Sequence, residues 1–379
     1  MVAGPLGALL AHDWSRTDFS VYTAAAEAVV HRTDIYAARN PRGWAYVYPP
    51  PFAIAIVPLA LLPAFWGSMA WGLLSIVLLV STARTCVALV RGSCSGRKGC
   101  ELALLGMPAL VLLPWWAQCL ARGQADVLVA WLVVAAMRWL KEERDVAAGA
   151  CLAGAAALKV FPLGLLGYLA WRRRWRCVAA TLAGLAVLLL LLPSLVLGWR
   201  QNLAYLWEWT HMVAQPALAS ESGRAAAVLH QQLLSAAKIR DQSLEPVLWR
   251  LVGDPGARDL AGGLSLLMAA VVWRVGRRIR ADGELSIAAA VIVWMLLAQP
   301  LAEAPYFVLL WLPVTVLVAA TFTVEGRRRR WALRAVVAVF GVASVLSPFS
   351  RQLESWGSLC WGTTLLWGSL AWLAASASA

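Results

Sequence analysis

The sequence predicts an all-α integral membrane protein with about 10–11 hydrophobic helices, and three observations predict this fold class. Hydrophobic residues make up 61% of the 379 residues and charged residues 14%, whereas soluble domains contain about 45–50% and about 25%. The apolar residues form runs about 20 residues long, the length that crosses about 30 Å of hydrocarbon. Strand-like alternation is absent, so helices are expected to satisfy the backbone hydrogen bonds inside lipid.

The hydrophobic segments follow one another along the chain, and each is expected to be helical. They lie at about residues 50–64, 67–90, 101–120, 124–140, 146–170, 177–198, 260–276, 284–301, 306–322, 331–348 and 357–375. Together they predict a single membrane-embedded domain over residues 1–379.

Two polar stretches, residues 12–48 and 199–259, are too long to be simple connections. Both carry Trp, Tyr and Leu at helical spacing, so both are expected to be folded loops. Residues 18–31 of the first stretch are predicted to form a short amphipathic helix that lies on the membrane.

The basic residues predict the orientation of the chain in the membrane. The net charge is +13, and clusters such as Arg172–Arg176 and Arg327–Arg334 lie between apolar runs. Such clusters favour the cytoplasmic side and contact anionic lipid headgroups. In this multi-pass protein of the cell membrane the second loop then lies outside the cytoplasm, and the first loop lies there too if segment 50–64 does not cross the membrane fully. No nucleic-acid partner is predicted, because a recognisable binding motif is absent.

Two segments leave the topology open. Segment 50–64 either crosses the membrane or fails to cross it fully. Segment 146–170 must enter and leave as two half-helices if every basic cluster is cytoplasmic, and Pro162 favours a break at Lys159-Val160-Phe161-Pro162.

The cysteines and carboxylates predict neither a metal site nor a bound cofactor. The seven cysteines are scattered, and we expect unpaired cytosolic thiols, including Cys94 and Cys100 beside a basic loop. Asp18 and Glu303 are hard-cation ligands by type, but no dense carboxylate cluster accompanies them.

The N-terminal residues Met1–Ala11 are apolar but too short to span a membrane. They are either the end of a helix that begins upstream or a stub that rests at the interface. We expect the longer helix, because Asp18 needs a segment that carries it across the membrane.

Ionisable side chains near apolar segments are costly and indicate functional sites. Asp18 could act as a general base on a hydroxyl acceptor, or it could cap the helix that it begins. Lys159, inside an apolar run, could bind a lipid phosphate or could snorkel to the headgroups. Asp126 follows Gly123-Gln124 and could cap the next helix.

The two polar stretches offer further candidates for ligand binding. Consecutive prolines after Tyr48 fix where the first loop returns to the membrane, and Tyr48 could face a ligand there. Arg240 and Arg250 could bind a phosphate by charge-assisted contacts, or could belong to a solvated loop with an internal ion pair.

Several short motifs in a fixed order cover about residues 15–310. They are Asp18-Phe19-Ser20-Val21-Tyr22, Asp34-Ile35-Tyr36, Tyr48-Pro49-Pro50, Gly123-Gln124, Ala148-Gly149, Lys159-Val160-Phe161-Pro162 and Gln242-Ser243-Leu244 with Arg250. This ordered set resembles glycosyltransferase family 87, polyprenyl-phosphate-sugar-dependent membrane enzymes of the GT-C class. The family includes phosphatidylinositol-mannoside mannosyltransferases.

The resemblance implies a GT-C-type helical bundle and an inverting transferase. Such an enzyme moves one sugar, often mannose, from a polyprenyl-phosphate donor to a lipid or glycan acceptor on the non-cytoplasmic face. The acidic residue of the first loop, here Asp18, would deprotonate the acceptor hydroxyl. We predict that donor or substrate is bound by Tyr48, Gln124, Lys159, Arg240, Gln242, Arg250, Glu303 and Tyr306.

The sequence departs from the family pattern at two motifs. Asp241 stands where the second-loop motif has Asn, and the late motif lacks a His near a Ser-Pro pair. If that His helps catalysis in relatives, Glu303 or Tyr306 must replace it. A transporter or flippase of lipid-linked sugars and a catalytically inactive relative are the alternatives. The acidic candidates cluster near one face rather than at the bilayer midplane, which favours the enzyme.

Overall fold

The computed structural model describes residues 17–94, 99–214, 239–253, 256–279 and 283–376. The predicted N-terminal helix or stub at Met1–Ala11 and residues 215–238 of the second polar stretch lie outside this part of the chain. Within it, the predicted all-helical bundle is confirmed, since all eleven hydrophobic segments form helices.

The α-helices are numbered here in chain order. They are α1 Asp18–His31, α2 Pro50–Ala60, α3 Ala64–Val90, α4 Cys100–Val111, α5 Leu113–Arg122, α6 Asp126–Lys141, α7 Asp145–Leu158, α8 Gly164–Trp171, α9 Trp175–Leu185, α10 Leu192–Leu197, α11 Trp199–Trp209, α12 Leu244–Val252, α13 Gly256–Gly276, α14 Glu284–Ala298, α15 Trp311–Thr323, α16 Arg327–Leu346, α17 Arg351–Ser355 and α18 Ser358–Ser376.

Five helical stretches are long and apolar enough to cross a membrane, so the chain is a multi-pass membrane protein. They are Ala64–Val90, Trp175–Leu197, Gly256–Gly276, Pro305–Thr323 and Arg327–Phe349. A sixth span follows if the bent pair α4 and α5 crosses as one. The segment predicted at 50–64 ends as a helix at Ala60. Its 11 residues reach only about 16 Å, so they do not form a full span.

The break predicted inside segment 146–170 is present. Helix α7 ends at Leu158, and Lys159 adopts extended backbone angles of φ −140° and ψ 129°. A short 3-10 turn over Phe161–Leu163 precedes α8. Proline lacks the backbone N–H that would continue the helix, which explains why the chain breaks here.

The described residues belong to two compact units. The first comprises residues 17–81, 116–163 and 169–214, and the second comprises residues 82–94, 99–115, 164–168, 239–253, 256–279 and 283–376. The single domain and the two outer loops inferred from the sequence stay predictions.

In the first unit, α1 packs against α2, and α7 packs against both α6 and α9. The predicted bounds of α1 are confirmed, but its apolar side chains, including Phe19, Tyr22 and Val29, are buried in the protein core. Gly149 brings α7 close to α9, since a Cβ there would lie 2.5 Å from that of Ala180. Small residues at such contacts are typical of membrane helices.

In the second unit, α14 packs against α15 and α18, and α16 packs against α15 and α18. Most of the side chains of α14 and α15 are buried. These two helices therefore form the apolar centre of this unit, and α16 and α18 lie around it.

The prediction of unpaired cysteines is wrong at one position, because Cys100 is disulfide-bonded. Five other cysteines are free, at positions 86, 119, 151, 177 and 360. Cysteine spacing alone did not indicate a pair, because sulfur proximity is set by the fold and not by sequence.

Candidate active site

Asp18 lies in the first turn of α1, and its carboxylate is partly exposed. Thr17 caps the helix by accepting a hydrogen bond from the Ser20 backbone N–H. The alternative that Asp18 is the cap is therefore wrong. Its Oδ2 atom instead accepts a hydrogen bond of 2.5 Å from the Nε2 atom of Gln124. A carboxylate held at one oxygen in this way has a fixed direction.

Gln124 reaches Asp18 because of the tight turn at Gly123. Gly123 has a φ of +66°, and a Cβ there would lie 2.8 Å from the Cβ of Phe19. The Trp71 indole N–H donates to the Gly123 carbonyl at 2.9 Å, and the Trp71 ring stacks on Phe19 with centroids 5.7 Å apart. Only glycine adopts this backbone conformation without strain and leaves room for Phe19.

Lys159 forms a buried ion pair with Asp126 in the same unit. Its Nζ atom donates to both carboxylate oxygens, at 2.8 and 3.0 Å. The Lys159 and Asp126 side chains are only 9% and 2% exposed. Lys159 therefore does not snorkel, and Asp126 is not the cap of α6, which is Ala125. The break after α7 turns the lysine toward the start of α6.

Three tyrosines of the first unit, Tyr22, Tyr36 and Tyr48, form a cluster that includes the helix of Asp18. The hydroxyl groups of Tyr22 and Tyr48 lie 3.1 Å apart, and the Tyr36 hydroxyl donates to the Tyr48 carbonyl at 3.1 Å. Burial raises the pKa of Tyr22, and the nearby Asp18 charge raises it further. Tyr48 is only partly buried. Of these three tyrosines, Tyr22 and Tyr36 are buried, so Tyr48 is the one whose side chain is partly accessible.

A second cluster lies in the second unit, around Asp241. The Oδ1 atom of Asp241 accepts hydrogen bonds from the Ser243 N–H at 3.1 Å, the Ser243 hydroxyl at 2.9 Å and the Ala302 N–H at 2.9 Å. Burial raises the pKa of Asp241 to about 6, and the charge of Glu303 also raises it. The buried carboxyl therefore ties the loop of residues 241–243 to residue 302.

Gln242 and Arg250 strengthen the same connection. The Nε2 atom of Gln242 donates to the carbonyls of Ile239 and Glu354, both at 2.8 Å. Arg250 donates to the Asp241 carbonyl at 2.8 Å and to the Ser355 carbonyl at 3.2 Å. The contacts with the Glu354 and Ser355 carbonyls join the second-loop motif to a later part of the chain. A solvated loop is therefore wrong for Asp241 and Gln242, which are buried, whereas Arg240 is exposed.

Glu303 and Tyr306 share one turn, in which the Tyr306 N–H donates to the Glu303 carbonyl at 2.9 Å. Both side chains are partly exposed, and Arg240 is exposed. The structure thus brings Asp18, Tyr48, Gln124 and Lys159 into the first unit. It brings the remaining predicted residues, namely Arg240, Gln242, Arg250, Glu303 and Tyr306, into the second unit.

Sequence reasoning missed two contacts among the candidate-site residues of the first unit. The partner of Lys159 is Asp126, which is 33 positions away, and the support of the Gly123 turn is Trp71, inside a hydrophobic run. The one available signal was the cost of burying a lone charge, which requires an opposite charge nearby. By this argument Asp126 was a candidate ion-pair partner of Lys159.

Comparisons with known proteins agree with the sequence motifs. The family model described as glycosyltransferase family 87 matches residues 46–300, a range that leaves out Asp18, Glu303 and Tyr306. One similar protein is a polyprenol-phosphate-mannose-dependent alpha-(1-2)-phosphatidylinositol mannoside mannosyltransferase from Mycobacterium tuberculosis, which is 28% identical to this chain. The match covers 96% of this chain and 84% of the length of that protein. A crystal structure of ArnT from Cupriavidus metallidurans bound to undecaprenyl phosphate is 16% identical, with a TM-score of 0.39, over 96% of this chain and 72% of that chain.

The buried ion pair predicts a thermodynamic coupling between Lys159 and Asp126. Lys159→Met should lower the free energy of unfolding by about 3–5 kcal/mol, because it leaves a buried carboxylate without its partner. Lys159→Met combined with Asp126→Asn should recover most of this loss. Thermal unfolding of the detergent-purified protein measures both effects.

Arg138→Met is the matched control, since Arg138 pairs with Glu142 at the surface with side chains 52% and 41% exposed. It should cost less than about 1 kcal/mol. If the double variant lost as much stability as Lys159→Met and Asp126→Asn lose together, the losses would be additive and the two charges would not be coupled.

The buried carboxyl predicts that Asp241→Asn stabilises the protein at alkaline pH. Since the pKa is raised from 3.8 to about 6, folding favours the protonated form, and this contribution is lost as the pH rises through 6. Asparagine keeps the accepting oxygen without the charge, so the gain at pH 8 should be about 2–3 kcal/mol.

Thermal unfolding at several pH values between 5 and 8 checks this prediction, because the gain should shrink as the pH falls. Asp259→Asn is the control at an exposed acid of α13 and should have little effect. A loss of stability at pH 8, or a gain that is the same at all pH values, would contradict the assignment.

Proposed function

Since the chain belongs to glycosyltransferase family 87, we propose that it transfers one hexose, specifically mannose, from a polyprenyl-phosphate donor to a lipid or glycan acceptor. The proposal for the sugar and the donor is supported by the relative from Mycobacterium tuberculosis, whose name states dependence on polyprenol-phosphate-mannose. The lipid acceptor is supported by the phosphatidylinositol mannoside in the same name.

The observation that carries the proposal is the partly exposed Asp18 carboxylate, held by the buried Gln124 amide. A general base must lie within hydrogen-bond reach of the proton that it removes, and one oxygen of Asp18 is already engaged by Gln124. In our proposal the carboxylate takes the proton of the acceptor hydroxyl. This role needs a carboxylate of fixed direction, which the Gly123 turn supplies.

The proposed reaction is a single displacement with inversion. The acceptor oxygen forms a bond to the anomeric carbon of the donor sugar while the bond from that carbon to the phosphate oxygen breaks. The phosphate leaves with the electron pair as polyprenyl phosphate, and Asp18 holds the acceptor proton. A phosphate is a good leaving group, so the protein needs to activate only the acceptor.

Lys159 is proposed to contact the donor phosphate, and Tyr48 and Gln124 the sugar or acceptor. The paired Asp126 offsets much of the lysine charge, so the phosphate contact would be weaker than that of an isolated cation.

In the second unit Arg240 is exposed and suits a phosphate. Gln242 and Arg250 already bind backbone carbonyls, so we propose that they hold the loop beside substrate, with Glu303 and Tyr306.

The reaction is proposed to occur on the non-cytoplasmic face. The support is the distribution of basic clusters, because loops that carry such clusters are expected on the cytoplasmic side. The first polar stretch, which carries Asp18, then lies outside.

The test is a membrane assay with labelled polyprenyl-phosphate mannose and a lipid extract as acceptor. Asp18→Asn should lower the transfer rate by about two orders of magnitude or more, because the amide keeps the size of the side chain but cannot accept the proton. Asparagine also keeps an oxygen that can accept from Gln124, so the fold should be unaffected.

Glu27→Gln is the control, an acid-to-amide change at an exposed position of the same helix, and it should transfer at the normal rate. Near-normal transfer by Asp18→Asn would refute the role of Asp18. No transfer by the wild-type protein, together with movement of the labelled donor across the membrane, would favour the transporter.

A further inference from the structure

A groove of about 530 Å³ runs between α16 and α18 in the second unit. The first turns of α16 and the last turns of α18 form one end of it, because the Arg329 guanidinium lies 5.9 Å from the centre of the Trp372 ring. Its walls are mostly apolar. The residues that matter for the argument are Arg328, Arg329, Val336, Leu365, Trp367 and Trp372.

The end of the groove at Arg328 and Arg329 carries a concentrated positive charge. Residues 327–330 are four consecutive arginines, all exposed, and the first turn of α16 holds no acidic residue. Among the described residues no carboxylate forms an ion pair with any of the four. Their charges also lie at the positive end of the helix dipole, which makes an anion at this end favourable.

The rest of the groove suits a hydrocarbon chain. Val336 lies two helical turns after Arg328, so one face of α16 runs from the charged end into the apolar part. Gly368 of α18 lines the groove, and a Cβ added there would meet no atom within 4 Å. The missing side chain at this position leaves the groove open, next to Leu365 and Trp367.

We propose that this groove is a binding site for an anionic phospholipid, whose headgroup phosphate contacts Arg328 and Arg329 and whose acyl chain lies against Val336, Leu365 and Trp367. The charge complementarity selects an anionic lipid over a zwitterionic one. Basic pockets between membrane helices are known to take such headgroups. The site is formed by residues 327–376 of the second unit alone, and the proposal does not depend on the transferase activity.

The test is native mass spectrometry of the full chain in detergent, titrated with phosphatidylglycerol, with phosphatidylcholine of the same acyl chains, and with undecaprenyl phosphate. Phosphatidylglycerol should bind at least tenfold more tightly than phosphatidylcholine. Arg328→Gln with Arg329→Gln should weaken phosphatidylglycerol binding about 30-fold, equivalent to about 2 kcal/mol for two arginines near a phosphate.

Gly368→Leu fills the groove without removing charge, and it should lower the affinity for phosphatidylglycerol at least tenfold.

The matched control for the Arg328 and Arg329 variant is Arg277→Gln with Arg278→Gln, which removes the same charge from the end of α13. There Arg277 also lies over a tryptophan, with 4.9 Å to the ring of Trp273. The control should bind phosphatidylglycerol as the wild type does. Retained thermal unfolding midpoints show that the variants are folded.

Three results would overturn the proposal. Equal binding of phosphatidylglycerol and phosphatidylcholine would show that the groove holds bulk lipid without headgroup preference. Equal losses in the control and in the Arg328 and Arg329 variant would show a general effect of charge. Displacement of phosphatidylglycerol by equimolar undecaprenyl phosphate, lost in Gly368→Leu, would show that the groove takes a polyprenyl phosphate instead.

Discussion

The hydrogen bond from Gln124 to Asp18 is the contact on which the candidate active site depends. Asp18 lies at the start of a helix, where a short side chain can point in several directions. The contact requires the turn at Gly123, which has no room for a Cβ beside Phe19, and the Trp71 indole holds the carbonyl of this turn. The proposed reaction needs such preorganisation, because a general base must be directed at the proton that it removes.

The helices were predictable from sequence because their signals are local. The length of apolar runs located all eleven segments, and Pro162 located the break that begins at Lys159. The contacts that build the site were not predictable in the same way. Asp126 and Lys159 are 33 positions apart, and no periodicity in the sequence relates them. The family motif marked Gly123 and Gln124 without giving the reason, which is the close approach of Phe19.

The motif at Asp241-Gln242-Ser243 shows that a family signature can mark a structural connection. Its side chains bind the backbone at residues 302 and 354, so its first effect is to fix the chain around Glu303. The family asparagine would make the same contacts without a buried charge. Asp241 therefore carries a cost in the folded state that the sequence could not reveal, because burial is a property of the fold.

The account is tested most directly by kcat/KM for the acceptor, compared between the wild type and Gln124→Leu. Gln124→Leu keeps the Asp18 carboxylate but removes the donor that fixes its direction, so kcat/KM should fall at least about tenfold. An unchanged kcat/KM in Gln124→Leu would contradict the claim that Gln124 holds Asp18 as the catalytic base.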